Sequence, residues 1–214
     1  TAYPCYHGFI SGGLRVGCHG HYSPIPLKPA LQTSCNAYFC WGFKALVDKR
    51  SKYGSSANAF EVWKNHLVSL GYGYKLGVDL PSEGRGFIPN AKFYNKIYGE
   101  GHWSANTIIS VSIGQGEILA TPLQIANLCA SIANRGWFIT PHVVKEIQDT
   151  LIDEQYRTRR IPTIDANYFD EVAEGMRMAV TGGTCRLANL PDIEVCPEPA
   201  WPRPLGIHRF RPVS

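Results

Sequence analysis

The chain has 214 residues, of which 44% are hydrophobic, with a formal net charge of +4 and an isoelectric point near 8.7. This length and apolar content predict a globular protein with a buried core, built as one large domain or two small ones. No run of Lys and Arg accompanies the mild positive charge, so nucleic acid is not an expected partner. No apolar stretch approaches the roughly 18 residues of a membrane span, and the N-terminus lacks signal-peptide features, so any anchor is expected outside this chain.

The first 26 residues are rich in Gly, Cys, His and Pro and show no sustained hydrophobic period. This composition predicts an irregular segment that needs a local staple. Four of the seven cysteines lie within the first forty residues, and the odd total argues against a complete disulfide framework. Cys129 lies apart from them in a helical apolar pattern, which predicts a free thiol in the core.

Two helical segments joined at a short polar corner are predicted next. The helical pattern that starts at Leu27 breaks at Ser34-Cys35-Asn36, and a second apolar run covers residues 37–46. Such a corner can direct the hydroxyl of Ser34 and the amide of Asn36 into a cleft while position 35 points back into the protein. The alternative is a turn that only ends a helix.

Three further helices are predicted along the chain. Asn58 and Glu61 have the spacing of a capping box for a helix that ends before Gly71. Thr121-Pro122-Leu123-Gln124 combines an N-cap, a proline at the first helical position and an N3 glutamine, for a helix that runs to Asn134. The last helix covers 168–179 and stops before two glycines at 182 and 183.

Strand signals are fewer than helix signals. The β-branched run 108–113 and the segment 141–147 are predicted as strands, and 77–84 has the turn chemistry of a loop. No internal repeat of fixed period is found, so solenoids and propellers are excluded. The sequence therefore predicts an α+β fold.

The tripeptide Ser34-Cys35-Asn36 fits the Ser-x-Asn motif of the penicillin-recognising serine enzymes, whose motif set also includes Ser-x-x-Lys and Lys-Thr-Gly. Other segments resemble the transpeptidase domain of class B penicillin-binding proteins of the penicillin-binding protein 2 type, in the same order and spacing. They are residues 32–39, 77–81, 110–116, 121–126 and 133–136. The resemblance runs from about residue 1 to residue 196, and residues 3–5 and 15–21 resemble the Bacteroidetes branch.

The resemblance implies an α+β penicillin-binding transpeptidase fold, related to the serine β-lactamases, in which helices pack on an antiparallel sheet. It implies peptidoglycan D,D-transpeptidation in cell-wall elongation, at the periplasmic face of the bacterial inner membrane. A serine attacks the D-Ala-D-Ala stem peptide, an acyl-enzyme forms, and an amine replaces water as acceptor. By the same resemblance Ser34 relays a proton to the leaving amine, and Asn36 binds the substrate backbone. The implied partners are stem peptides, β-lactams and a glycan polymerase.

Two departures from the family pattern are found. In the family the Ser-x-x-Lys motif lies upstream of the cysteine-rich segment, and residues 1–214 do not contain it. After Cys196 the family continues with Gly-Lys-Thr-Gly-Thr, whereas residues 197–201 read Pro-Glu-Pro-Ala-Trp. We therefore expect a partial transpeptidase domain at 1–196, inactive alone, and a non-family tail at 197–214. A frameshift is one hypothesis for that tail, and a disordered extension is the other.

A candidate metal site is formed by three residues of the first 26 and one residue of the Ser-x-Asn corner: Cys5, Cys18, His21 and Cys35. Three thiolates and one imidazole are an accepted structural zinc set, although the spacing is not the paired C-x-x-C of common zinc fingers. Some penicillin-binding protein 2 members carry a zinc between the nucleophile motif and the Ser-x-Asn corner, and the resemblance assigns these positions to its ligands.

Alternatives to this zinc site remain open at the level of sequence. The cysteines can be reduced and simply packed, or Cys5 can form a disulfide with Cys18, which a periplasmic location permits. His7 and His19 are further candidate ligands. Two rival functions remain. One is a catalytically inactive truncated fragment that keeps only weak binding, and the other is a zinc-stapled binding module without enzymatic activity.

Overall fold

The computed structural model describes residues 1–190 and Val195, so the predictions made for residues 197–214 lie outside the described residues. The α-helices are α1 (Leu27–Gln32), α2 (Asn36–Val47), α3 (Arg50–Tyr53), α4 (Ser56–Ser69), α5 (Ala91–Tyr98), α6 (Pro122–Ala133) and α7 (Asn167–Gly182). Short 3-10 helices cover Ile109–Ile113, Glu154–Tyr156 and Arg186–Ala188. The strands are β1 (Ala2–Tyr3), β2 (Gly8–Ser11), β3 (Leu14–Gly17), β4 (Ile25–Pro26), β5 (Phe138–Ile139) and β6 (Arg159–Arg160).

All strand pairs in the described part of the chain are antiparallel, which confirms the α+β class. The strands form three two-stranded sheets, β1 with β4, β2 with β3, and β5 with β6. Gly12 and Gly13 connect β2 to β3 with φ values of 56° and 80°, as a tight hairpin turn with two left-handed residues requires. The first 26 residues were predicted to be irregular, and this is wrong, because two strand pairs organise them.

The larger core cluster surrounds α2. Phe60 of α4 lies at its centre, stacked on Trp63 with ring centroids 5.4 Å apart and in edge contact with Phe43 and Tyr94. Phe9 of β2 is fully buried and packs on Trp41 at 4.6 Å. Offset and edge-to-face aromatic pairs add specific geometry to the burial of apolar area. This cluster fixes the direction of α2 and of the corner at its start.

A second core cluster joins α6 and α7 and includes Ile132, Phe169 and Met176. Helix α7 also packs along α1, and at Gly175 a Cβ atom would lie 2.5 Å from Cδ1 of Leu31. A glycine is therefore required for this packing distance. The packing brings α7 against α1, which lies more than 130 residues earlier in the chain.

The predicted corner between α1 and α2 and the capping box of α6 are confirmed. Oγ1 of Thr121 accepts from N of Gln124 at 3.2 Å, and the Gln124 side chain accepts from N of Thr121 at 3.0 Å. The capping box predicted at Asn58 and Glu61 is wrong. Helix α4 begins earlier, with Ser55 as the N-cap residue that accepts from N of Asn58 at 3.1 Å.

Both longer strands predicted in the second half are wrong. The apolar run at 108–113 is a 3-10 helix that Gly114 ends in the left-handed conformation, with φ of 68°. The segment 141–147 forms a loop, in which the carboxylate of Asp79 accepts from the backbone N–H groups of Val143 and Val144. Cys129 is half-buried on α6, so its prediction as a core residue is wrong as well.

Across residues 1–190, every helix is too short or too polar to span a bilayer.

Candidate functional site

The corner that presents Ser34 is a hydrogen-bonded helix end. Backbone N of Cys35 donates to the carbonyl of Ala30 at 2.8 Å, and N of Ser34 donates to the carbonyl of Leu31 at 3.2 Å. This pair of bonds is the Schellman arrangement, which satisfies the last carbonyls of α1. It requires a left-handed residue directly after the helix, and that residue is Ser34, with φ of 52°.

Cys35 begins the next helix without an intervening loop. Its backbone is extended and its Sγ accepts from N of Tyr38 at 3.4 Å, so the cysteine is the N-cap of α2. Because Thr33 is the C-cap of α1 and Cys35 is the N-cap of α2, the backbone around Ser34 is constrained from both sides. A non-glycine residue held in the left-handed region in this way is typical of functional sites.

Asn36 is the first residue of α2 and connects the corner to the N-terminal strands. Its Nδ2 donates to the carbonyl oxygen of Gly17, the last residue of β3, at 3.0 Å. The side chain is half-buried, so its amide oxygen keeps acceptor capacity. The structure therefore gives Asn36 a local structural partner in addition to its predicted role toward substrate.

The hydroxyl of Ser34 contacts a residue that the sequence did not single out. Its Oγ lies 2.8 Å from Oγ1 of Thr184, in the loop that follows α7. Backbone N of Thr184 donates to the carbonyl of Gln32 at 3.1 Å. The glycines at 182 and 183 indicated only a helix stop, and no sequence pattern pairs this loop with a corner 150 residues earlier.

The four predicted metal ligands come together. The Sγ atoms of Cys5, Cys18 and Cys35 and a ring nitrogen of His21 all lie within 4.8 Å of one another. Zinc bonds of about 2.3 Å in a tetrahedron place sulfur ligands about 3.8 Å apart, so the cluster is close to the spacing that the metal requires. The three thiols are free, and those of Cys5 and Cys35 are buried.

The ring of His21 is oriented for metal binding. Its Nδ1 lies 2.8 Å from the carbonyl oxygen of Tyr22 and its Nε2 lies 3.5 Å from Sγ of Cys18. A carbonyl only accepts, so Nδ1 carries the hydrogen and Nε2 presents its lone pair to the cysteines. A hydrogen bond from the second ring nitrogen to a carbonyl is the usual support of a histidine ligand.

The three thiols differ in acidity. A hydrogen bond from Cys35 lowers the pKa of the Cys18 thiol to about 4. The hydrogen bond between Cys35 and Cys18 raises the pKa of the Cys35 thiol, and burial raises it further. Burial also raises the pKa of Cys5. A bound cation would favour the thiolate form at all three positions.

His7 and His19 have other surroundings. Nε2 of His19 contacts the carbonyl oxygen of Thr33 at the end of α1. His7 has φ of 57° and is exposed, and its carbonyl accepts from N of Cys18 at 3.0 Å. Neither histidine belongs to the four-residue cluster.

Two helices that meet at a Ser-x-Asn corner, on an α+β framework, are the features expected of the penicillin-recognising serine enzymes. Comparison with known families agrees with this class. The model of the penicillin binding protein transpeptidase domain matches residues 2–195. The chain belongs to this family.

Within the family the chain is similar to proteins of the penicillin-binding protein 2 type. It is 37% identical over 169 residues to the peptidoglycan D,D-transpeptidase MrdA of Acinetobacter baumannii, which covers 76% of this chain and 23% of the relative. The structure of penicillin-binding protein 2 from Helicobacter pylori matches with a TM-score of 0.69 at 22% identity, over 92% of this chain and 34% of that one. A peptidoglycan synthase complex that coordinates polymerization and crosslinking matches with a TM-score of 0.64 at 27% identity, over 88% and 30%. The chain thus spans about a quarter of the curated relative's length.

Proposed function

We propose that this chain supplies the Ser-x-Asn side of the active site of a peptidoglycan D,D-transpeptidase of the elongation type. The observation that carries the proposal is the placement of Ser34, a half-buried hydroxyl in a left-handed position between two helices. The family match over residues 2–195 supports the same assignment.

The reaction assigns a separate task to each corner residue. A serine oxygen attacks the carbonyl carbon of the penultimate D-Ala, and the C–N bond to the terminal D-Ala breaks. The proton of the attacking hydroxyl must reach the departing amine, and the hydroxyl of Ser34 passes it on by accepting one proton and donating another. The oxygen of the Asn36 amide accepts a backbone N–H of the stem peptide.

The attacking serine belongs to a Ser-x-x-Lys motif that residues 1–214 do not contain, so the chain acts as part of a longer polypeptide. As a unit of that parent it faces the periplasm and binds stem peptides. The serine of the parent reacts with β-lactams, which mimic D-Ala-D-Ala. The match to a synthase complex that coordinates polymerization and crosslinking supports a glycan polymerase as the protein partner.

We also propose that Cys5, Cys18, His21 and Cys35 hold one structural zinc ion. The donor set fits the metal: three sulfur atoms and one oriented imidazole lie within 4.8 Å of one another. Four protein ligands complete a tetrahedral shell and leave no position for a reactive water, so the ion stabilises the fold and takes no part in the chemistry. The rival zinc-stapled binding module explains the cluster but not the family match that extends to residue 195.

The proposed function is tested with Ser34→Ala in the full-length parent. We expect acylation by a fluorescent penicillin to slow by about 10²–10⁴-fold, the range for a positioned acid-base group. Ser51→Ala, at an exposed serine on α3, is the matched control and should react at the wild-type rate. Circular dichroism checks that the fold persists, and an unchanged acylation rate in Ser34→Ala would show that the corner is only a turn.

A further inference from the structure

The loop after α7 places a second hydroxyl beside the Ser-x-Asn corner. Oγ1 of Thr184 lies 2.8 Å from Oγ of Ser34, which is a normal distance for a hydrogen bond between hydroxyl groups. Thr184 is exposed, so its contact with Ser34 is not a by-product of core packing. It is also absent from the motifs that identify the family in this sequence.

Backbone contacts hold Thr184 at a fixed position relative to α1. Its N–H donates to the carbonyl of Gln32 at 3.1 Å, and the Gln32 side chain donates to the carbonyl of Gly182 at 3.4 Å. At Gly183 a Cβ atom would lie 2.1 Å from the oxygen of Gln32, so the loop approaches α1 as closely as a glycine permits. The side chain of Thr184 therefore reaches Ser34 from a backbone that is itself anchored.

From this geometry we propose that Thr184 is a positioning residue for the hydroxyl of Ser34 in acyl transfer. The inference rests on the proposed function and deepens it. A serine hydroxyl has one hydrogen and two lone pairs, and it can rotate about the Cβ–Oγ bond. When Thr184 donates its hydrogen to Oγ of Ser34, the hydrogen of Ser34 is left free to point toward the cleft.

Only Ser34 exchanges protons with the reacting groups under this proposal. Ser34 donates its hydrogen to the amine nitrogen as the C–N bond breaks, and it receives the proton released by the attacking serine. Thr184 keeps its own proton throughout and changes no bond. It acts only on the direction of the Ser34 hydroxyl, so its removal should slow acylation without blocking it.

The experiment uses the full-length parent with Thr184→Val and Thr184→Ser. Valine keeps the shape of threonine and removes the hydroxyl, whereas serine keeps the hydroxyl and removes a methyl group. We expect Thr184→Val to slow acylation by fluorescent penicillin about 3–10-fold, the equivalent of one ordinary hydrogen bond, and Thr184→Ser to restore the rate. Thr181→Val, at an exposed threonine on α7, is the matched control and should leave the rate unchanged.

A double-mutant cycle with Ser34→Ala separates positioning from a general structural effect. If Thr184 acts through Ser34, Thr184→Val should cause no further loss in the Ser34→Ala background. Equal losses in both backgrounds, or a wild-type rate in Thr184→Val, would overturn the proposal and leave the proposed function intact. A wild-type acylation rate in Ser34→Ala would contradict both the positioning role of Thr184 and the proposed function. Melting temperatures of all variants show whether any loss follows from unfolding.

Discussion

Ser34 occupies a position where glycine is the usual residue. A left-handed conformation costs an L-residue roughly 1–2 kcal/mol, because its Cβ approaches the following carbonyl oxygen. The Schellman bonds of α1 and the N-cap of α2 hold Ser34 there despite this cost. The strain indicates that the hydroxyl of Ser34 is kept for its function, although glycine at this position would make the corner more stable.

Comparing Ser34→Gly with Ser34→Ala in the full-length parent tests this interpretation. Both variants lose the hydroxyl and its contact with Thr184, but only the glycine variant relieves the left-handed strain. After the entropy cost of glycine in the unfolded chain is subtracted, we expect Ser34→Gly to be more stable than Ser34→Ala by about 1 kcal/mol. Chemical denaturation measures the difference, and both variants should acylate slowly. Equal stabilities would show that the corner is not strained.

At this scale the sequence predicts what is local and misses what is distant. Ser34 and Asn36 lie two positions apart in a recognisable tripeptide, so their spacing on the corner follows from two helical patterns. Thr184 lies 150 residues from Ser34, and a single threonine after two glycines carries no signal that names its partner. The hydrogen bond from Asn36 to the carbonyl of Gly17 could not be predicted for the same reason.

Among the elements, α6 shows how a local signal and a distant contact share one side chain. Gln124 completes the capping box and also donates from its Nε2 to the carbonyls of Tyr74 at 2.7 Å and Arg85 at 3.0 Å. The side chain is fully buried, so all of its polar atoms need partners within the protein. One glutamine therefore connects the start of α6 to the loop between α4 and α5.

Gln124→Glu should destabilise the protein in a pH-dependent way. The introduced carboxylate lacks the N–H donors that face the two carbonyls, and we expect a loss of about 1–3 kcal/mol or more at pH 7. Burial raises the pKa of the introduced carboxyl, so the protonated form, which has one donor, should dominate at low pH and the loss should shrink as pH falls. Gln115→Glu, at an exposed glutamine, is the control and should change stability little at either pH. A loss that is the same at pH 4 and pH 7 would contradict the argument.

One strand prediction failed because a distant side chain decides the backbone, and the other failed because of a local contact. Helices α6 and α7 and the corner after α1 follow from capping residues and periodicity, which are local. The carboxylate of Asp79 accepts from two N–H groups of the segment 141–147, and no property of that segment reveals it. The β-branched run 108–113 was mistaken for a strand, although Ser112 bonds back to the carbonyl of Ile109 at 2.6 Å in a 3-10 turn.

For the molecule as a whole, the proposed zinc ion adds a link between segments that are otherwise joined by the packing of Phe9 on Trp41 and by the hydrogen bond from Asn36 to Gly17. Cys5 follows β1, Cys18 follows β3, and Cys35 caps α2, so one ion would bind two short sheets to the corner. Strand pairs of two to four residues are marginal on their own. A metal clip can supply the missing folding free energy, which is on the order of 10 kcal/mol in small zinc peptides.

Elemental analysis of the purified full-length parent should find one zinc ion per chain. Cys35→Ser should remove it and lower both the melting temperature and the acylation rate, because Cys35 lies between Ser34 and Asn36. Cys129→Ser, at a half-buried cysteine of α6 outside the cluster, should keep the metal and both other properties. Well-folded, unchelated protein without zinc would contradict the proposal, and a Cys5–Cys18 disulfide in a mass map would favour the oxidised alternative.

The packing of α7 on α1 has a consequence for the order in which the protein folds. The contacts Lys28–Glu174 and Ser34–Thr184 close loops of 146 and 150 residues. Such closures carry a large entropic cost and come late in folding, after local helices and hairpins have formed. During synthesis the ribosome releases α1 and α2 long before α7. The Ser-x-Asn corner therefore lacks its contact with Thr184 until the residues of α7 and the following loop have been synthesised. A nascent chain stalled before residue 167 should not yet hold Ser34 in its working orientation.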